Sequence, residues 1–375
     1  MDYRRQPVWL LAVIHYVLKM YRPVLCVQQL DRGEHLSSLK AKMQTSPCTP
    51  ADNSNLGVSL AFPFWWGSKL TVKLLATSLV RVIIIQKRQG VIILAEFRIS
   101  TGLDLHVFPR EDMLEFIRQG LLVHKSIGFH AVDVSYRLLS GFGEDVVGGI
   151  EKVKAMAEEV GVSMELGHLP FGMNPYAPVE IFNQRVHDSI DAMAMLGIHY
   201  AVMHPNTLTE RLIQFDCQAR YDSVMEHLSP FVEHANRVGL NIVIENMRLV
   251  HENYAVHRYC GDPEELCKIA DALGVGICWD TGHAHINGIK QSEALAYIGS
   301  RLKMLHLNDN FGEDDIHLAP FMGTIDWADV MKGLKTVGYN GILNFELKAP
   351  GNTPEIRRAF GEYVYTAAQE LMRMM

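Results

Sequence analysis

The chain has 375 residues, 48% hydrophobic and 21% charged, a balance that suits a globular fold and gives enough apolar material for one large α/β barrel or two smaller domains. Its formal charge of -7, with Lys and Arg scattered rather than clustered, gives nucleic-acid binding no positive support. Six cysteines, Cys26, Cys48, Cys217, Cys260, Cys267 and Cys278, make no C-x-x-C pair and no small-scaffold spacing, which fits free thiols in a reducing cytoplasm.

The first ninety residues do not match the rest. Val8 to Tyr21 is apolar behind Arg4 and Arg5 but contains His15 and Lys19, lacks a small-residue cleavage site, and is too short to span a bilayer securely. A polar stretch from Asp31 to Asn55 follows, then FPFWWG at Phe62 to Gly67, then an apolar region from Leu70 to Ile85 broken by Lys73 and Arg81. Residues 1–91 are therefore read as an N-terminal extension, disordered or outside the main domain, and stable membrane insertion is not expected.

From Ile92 onward, apolar runs suited to buried parallel strands alternate with segments of helical period. Strands are expected at Ala95 to Ser100, His130 to Ser135, Ser163 to Gly167, Tyr200 to His204, Asn241 to Glu245, Gly276 to Asp280, Lys303 to Leu307 and Ile342 to Glu346. The helices between them carry their own signals. Asp222 to Val238 has an apolar stripe at Val224, Leu228, Phe231, Val232, Ala235 and Val238. Asp262-Pro263 caps and opens another helix that Gly274 stops, and Asp326 caps a third whose stripe is Trp327, Val330, Met331, Leu334 and Val337. Eight such units predict a (β/α)8 TIM barrel over residues 92–375. A doubly wound sheet is disfavoured, because STGLDLH after the first strand has no G-x-G-x-x-G phosphate turn.

Four of the expected strands end on metal-capable side chains: Glu245 in IVIE, Asp280 in GICWD, His306 in LKMLH and Glu346 in LNFE. They are spaced 35, 26 and 40 residues apart. The carboxyl ends of barrel strands converge on one mouth, so these groups are expected together. Three carboxylates and one imidazole suit Mn²⁺, Mg²⁺, Co²⁺ or Zn²⁺, whereas burying the carboxylates without a cation would force some to take up protons. His168 in ELGHLPF, His204 in VMHP, His283 in WDTGHAH, and Asp315 with His317 in GEDDIH are further candidates at the same mouth, with His285 the weakest histidine.

The stretches IENM, CWDTGHAH, LHLNDNFGEDDIH, PFMGTIDW and GILNFEL resemble the sugar isomerase and epimerase superfamily that shares the xylose isomerase-like TIM barrel and also contains the endonuclease IV enzymes. The similarity runs over nearly all of residues 92–375. It implies that Glu245, Asp280, His306 and Glu346 hold one divalent ion, Mn²⁺ first among the choices. Glu245 and Glu346 then move a proton on opposite faces of the substrate, while His283 and His204 bind its oxygens. Asp315 and His317 match a further metal pair of the endonuclease branch, in which His168 and His204 also have counterparts. Phe321 stands where the common P-G-x-G loop has its first glycine, so that loop is expected to be shaped differently.

The expected activity is isomerisation or epimerisation of a sugar or sugar phosphate through a metal-stabilised enediolate. The alternatives are a zinc-dependent phosphodiesterase at abasic DNA, and a lyase, dehydratase or non-catalytic barrel that binds a sugar-like metabolite. NPYAP at Asn174 to Pro178 and the Phe321 loop suit a cover over a compact ligand better than a DNA groove. If the substrate carries a phosphate, that group is expected near Gly323 and Gly351, after strands seven and eight. No nucleic-acid partner is expected, the location is cytoplasmic, and a homo-oligomer is an expectation by analogy alone.

Overall fold

The structure, a computed structural model, describes residues 97–105, 112–139, 142, 145–172, 178–205, 216–249, 258–351 and 353–375. It also traces the backbone of residues 56–63, 69–76, 81–87 and 90–95. The expected apolar segment from Val8 to Tyr21, and Asn174 to Ala177 of the NPYAP motif, lie outside the described residues. The chain divides into two compact units, Met1–Glu96 and Phe97–Met375.

In the first unit, β1 (Leu56–Pro63), β2 (Lys69–Ala76), β3 (Arg81–Lys87) and β4 (Gly90–Ala95) form an antiparallel sheet in sequential order. No strand is expected there from the sequence, because Lys73 and Arg81 interrupt the apolar run that would signal one. An antiparallel sheet tolerates such residues when one of its faces is polar.

The second unit carries β5 (Ile99–Thr101), β6 (Ala131–Ser135), β7 (Ser163–His168), β8 (Tyr200–Met203), β9 (Asn241–Glu245), β10 (Gly276–Asp280), β11 (Leu302–His306) and β12 (Leu343–Phe345). Their order is β11-β10-β9-β8-β7-β6-β5-β12, with every neighbouring pair parallel. A parallel bridge between Leu307 and Phe345 joins the two ends, and Leu307 N donates to Asn344 O at 2.9 Å. The sheet thus closes into the expected eight-stranded barrel. Its first strand starts four residues later than the apolar run suggests.

Among the described residues, eight helices of eight residues or more alternate with these strands: α1 (Met113–Ile127), α2 (Val146–Val160), α3 (Val179–Leu196), α4 (Cys217–Val238), α5 (Pro263–Leu273), α6 (Gln291–Ile298), α7 (Trp327–Thr336) and α8 (Pro354–Met374). The carboxylates of Asp112, Asp145, Asp216, Asp262 and Asp326 accept backbone N–H groups at five of their N-termini. Each such cap satisfies a donor the helix leaves unpaired. α4 begins at Cys217 behind the Asp216 cap, earlier than Asp222, and Val238 at its end is exposed rather than part of the buried stripe. Among the described residues, no helix is long and apolar enough to cross a membrane.

Two apolar layers hold the barrel. The larger lies between strands and helices, and a smaller one fills the interior: Ala131, Leu166, Val202, Val243, Cys278, Met304 and Ile342. Side chains alternate along a strand, so the residue two positions beyond each member of this plug also points inward, one layer nearer the carboxyl end. Those residues are Asp133, His168, His204, Glu245, Asp280, His306 and Asn344. The floor of the site is therefore set by the apolar plug beneath it.

Candidate metal centre

Glu245 lies at the middle of the inward polar layer. It is 1% exposed; its Oε1 accepts from His306 Nδ1 at 2.9 Å and its Oε2 lies 3.0 Å from His204 Nε2. Glu346, from beyond β12, brings Oε2 to 3.1 Å from the same His306 Nδ1. Asp280 is fully buried, and its carboxylate accepts His283 N at one oxygen and Asn308 Nδ2 at the other, both at 2.7 Å. Gly282 follows because a β-carbon there would lie 1.9 Å from Asn308 Oδ1, in the space this asparagine needs to reach Asp280. Asn246 completes the join between β9 and β10, accepting Asp280 N at 2.6 Å and donating to Asp280 O at 2.9 Å.

Among the described residues, the structure brings three overlapping sets of ligand-capable atoms within 4.8 Å of one another. They are Glu245, Asp280, His306 and Glu346; His168, His204 and Glu245; and His168, His306 and Glu346. A further small group stands beside them, with Asp315 Oδ2 at 3.3 Å from His283 Nε2 and Asp315 Oδ1 at 3.2 Å from His317 Nε2. All nine candidate residues thus lie around one mouth. His285 does not join them: it is turned outward, with Nε2 at 2.9 Å from Thr324 Oγ1.

Three histidines are anchored through Nδ1 to backbone carbonyls. His168 Nδ1 donates to Leu169 O at 2.8 Å, His283 Nδ1 to Asn246 O at 2.8 Å, and His317 Nδ1 to Glu346 O at 3.0 Å. In His168 this anchoring leaves Nε2 to present its lone pair to the site, whereas Nε2 of His283 and of His317 faces an Asp315 oxygen and donates to it. His168 Nε2 and His306 Nε2 are buried and have no hydrogen-bond partner. Three carboxylates gathered in a poorly solvated place with orphaned donor atoms fit a bound divalent cation, whose charge would hold them all ionised. The oxygen-rich set suits Mn²⁺, Mg²⁺, Co²⁺ or Zn²⁺, and the His168, His204 and Glu245 set suits Zn²⁺.

The electrostatics show how closely these charges are coupled. Burial opposes ionisation of Glu245, yet His306 and His204 outweigh it and hold its carboxyl well below the usual range. Glu346 follows the same pattern, with burial overcome by His306 and His317 and its pKa drawn down to about 2. For Asp280 burial wins, lifting the pKa to about 6 against the pull of His283. Burial works against the His283 cation, but Asp280, Asp315 and Glu245 raise it to about 9.

Two inward polar residues escape sequence reasoning. Asp133 Oδ2 accepts from Asn344 Nδ2 at 2.7 Å and lies 3.7 Å from His306 Nε2, on the side of the imidazole away from Glu245. Each is a single polar residue inside an apolar run, without the clustering that marks WDTGHAH. The two-residue step from the plug would have found both. Phe321 has a φ of 70°, the left-handed conformation a glycine adopts without strain and a bulky side chain does not.

Comparisons agree with the barrel. An uncharacterised protein of Methanocaldococcus jannaschii is 29% identical over 207 residues, 52% of this chain and 69% of that protein. An inosose isomerase of Bacillus licheniformis is 23% identical over 190 residues, 49% of this chain and 62% of its own length, so the match spans under two thirds of that enzyme. A crystal structure of D-psicose 3-epimerase in the presence of D-fructose superposes with a TM-score of 0.58 at 14% identity, covering 73% of this chain and 99% of the epimerase. The family profile described as xylose isomerase-like TIM barrel matches residues 122–369, well over half of the chain, and the chain belongs to that family.

Proposed function

We propose that this chain is a divalent-metal-dependent isomerase or epimerase that moves a proton on a carbon beside a carbonyl of a sugar or sugar phosphate. The observation that carries this reading is the approach of Glu245 and Glu346, from strands separated by two others, to one atom, His306 Nδ1. Two ionised carboxylates then face one small space. Glu245, Asp280, His306 and Glu346 would hold the cation, Mn²⁺ first among the choices. A divalent ion there supplies the positive charge that stabilises negative charge developing on a substrate oxygen.

The proton work belongs to the chain's own groups. Glu245, kept ionised by its histidines, accepts a proton from the substrate carbon, and Glu346, after taking a proton from solvent, returns one from the other side, which inverts that centre, with Glu245 then releasing its proton to solvent. Return by the same carboxylate to the neighbouring carbon gives isomerisation instead. His204 and His283 are placed to bind substrate oxygens, with His168, Asp315 and His317 completing the wall. Phe171, itself exposed on its outer side, stacks on His204 with ring centroids 4.7 Å apart. An inosose isomerase among the relatives and an epimerase among the structural neighbours support the same chemistry.

A second reading rests on a separate observation: Glu245 belongs to two ligand sets at once. A shared carboxylate between two cations is suited to hydrolysis by activated water, as in a zinc phosphodiesterase acting at abasic DNA. The two readings part in one experiment. Incubated in D₂O with Mn²⁺ and a panel of ketoses and ketose phosphates, the chain is expected to wash deuterium into the carbon beside the carbonyl, and Glu245→Gln and Glu346→Gln to abolish this. No exchange with any of them, together with nicking of an abasic duplex, overturns the first reading in favour of the second.

A further inference from the structure

The connection after β9 carries two arginines that the ligand sets do not use. Its described ends are clamped together. Met247 N donates to Cys260 O at 3.0 Å and Arg258 N to Leu249 O at 3.2 Å. Asn287 ties both sides, donating through Nδ2 to Met247 O at 2.9 Å and Gly261 O at 3.0 Å, and accepting Leu249 N at 2.9 Å. The backbones of Arg248 and Arg258 are therefore held beside the mouth.

Among the described residues, Arg248 has one long contact to a carboxylate and Arg258 has none. Arg248 Nε lies 3.6 Å from Asp315 Oδ2, is buried, and has no hydrogen-bond partner. Asp315 is already shared between His283 and His317. Arg258 is partly buried and forms no ion pair or side-chain hydrogen bond among the described residues. Burial and the neighbouring Arg248 together push its pKa down to about 10, while Glu245 and Asp315 are near enough to act on it in the opposite direction. One carboxylate, already divided three ways, cannot satisfy two forked cations in a desolvated place.

The loop after β11, where a substrate phosphate was expected near Gly323, has its donors committed elsewhere. Asp309 accepts from Asn310 N at 2.9 Å, Phe321 N at 3.0 Å, Ile325 N at 3.1 Å and Trp327 Nε1 at 3.0 Å. An internal carboxylate thus fills the nest that a phosphate would otherwise enter.

We propose that Arg248 and Arg258 form a subsite for a phosphate monoester, so that the substrate of the adjoining cluster is a phosphorylated sugar or polyol-derived ketone. A carboxylate is matched by one guanidinium, whereas a phosphate dianion has the charge and the acceptor oxygens for two. This rests on the isomerase or epimerase reading for the word substrate; the anion subsite itself does not.

Calorimetric titration of the Mn²⁺-loaded full chain with inorganic phosphate, at fixed ionic strength, tests the subsite. Binding to the wild type should weaken about tenfold or more in Arg248→Met and in Arg258→Met, with metal content unchanged as the control for folding. Equal binding in wild type and variants, which places phosphate on the cation, or no binding at all, overturns the subsite. A second arm compares deuterium exchange into fructose 6-phosphate and fructose. A lower KM for the phosphorylated ketose, lost in both variants, supports the substrate assignment; equal KM values leave a free-anion site and overturn it. Arginine-dependent phosphate binding with no exchange into any ketose would sink the isomerase or epimerase reading while the subsite stands.

Discussion

Glu245 shows how much one residue carries here. It is buried, it touches His306 and His204, and it belongs to two of the three ligand sets, because Val243 two residues earlier sits in the barrel plug. The same two-residue step places Asp280 above Cys278 and His306 above Met304. These positions are legible in the sequence because each ends an apolar run. Asp133 and Asn344 are not, since nothing polar stands beside them, and Arg248 and Arg258 lie in a connection with no periodicity to read. A histidine away from the site offers a separate test. His124 is fully buried, its Nε2 donates to Ala131 O at 2.6 Å, and burial drives its pKa down to about 4. Its folded-state pKa is below the unfolded value near 6.5, so the unfolded chain binds the proton more readily. The stabilising contribution is full above pH 6.5 and is lost as pH falls to 4, amounting to roughly 3 kcal/mol over that window. His124→Gln keeps a donor and removes the titration. Urea midpoints measured from pH 7 to pH 4 should fall less steeply in the variant; parallel slopes would contradict this account.

Among the elements, strands and helices were more legible than loops for a physical reason. A buried parallel strand is a short apolar run and a capped helix begins at an Asp or Thr, so β9 and β10 match their expected bounds residue for residue. The segment from Asn308 to Asp326 has no such pattern, and its shape comes from one buried carboxylate. Asp309 is fully buried and gathers four donors from both ends of this segment, which also carries Asp315 and His317. Gly323 passes so close that a β-carbon would lie 2.4 Å from Asp309 Oδ1. Asp309→Ala strands those donors and is expected to lower stability by about 3 kcal/mol, read from the urea midpoint and slope. A loss below about 1 kcal/mol would show that the loop is held by its other contacts.

At the scale of the whole molecule, the sequence divides near residue 91 and the compact units divide between Glu96 and Phe97. The antiparallel sheet of β1 to β4 was not foreseen, and the barrel closes through β11 and β12 with no strand from the first unit. A chain starting at Phe97 should therefore keep a cooperative unfolding transition and the far-UV spectrum of an α/β barrel; loss of either would make the first unit integral to the second. The central claim concerns what the mouth of the barrel holds. The measurement that tests it most directly is elemental analysis of the full chain, purified without added metal and then given a divalent mixture, beside His306→Ala. About one manganese, cobalt or magnesium ion per chain, lost in the variant, is the expected result. No divalent metal under either condition, or the same content in His306→Ala, would contradict the account.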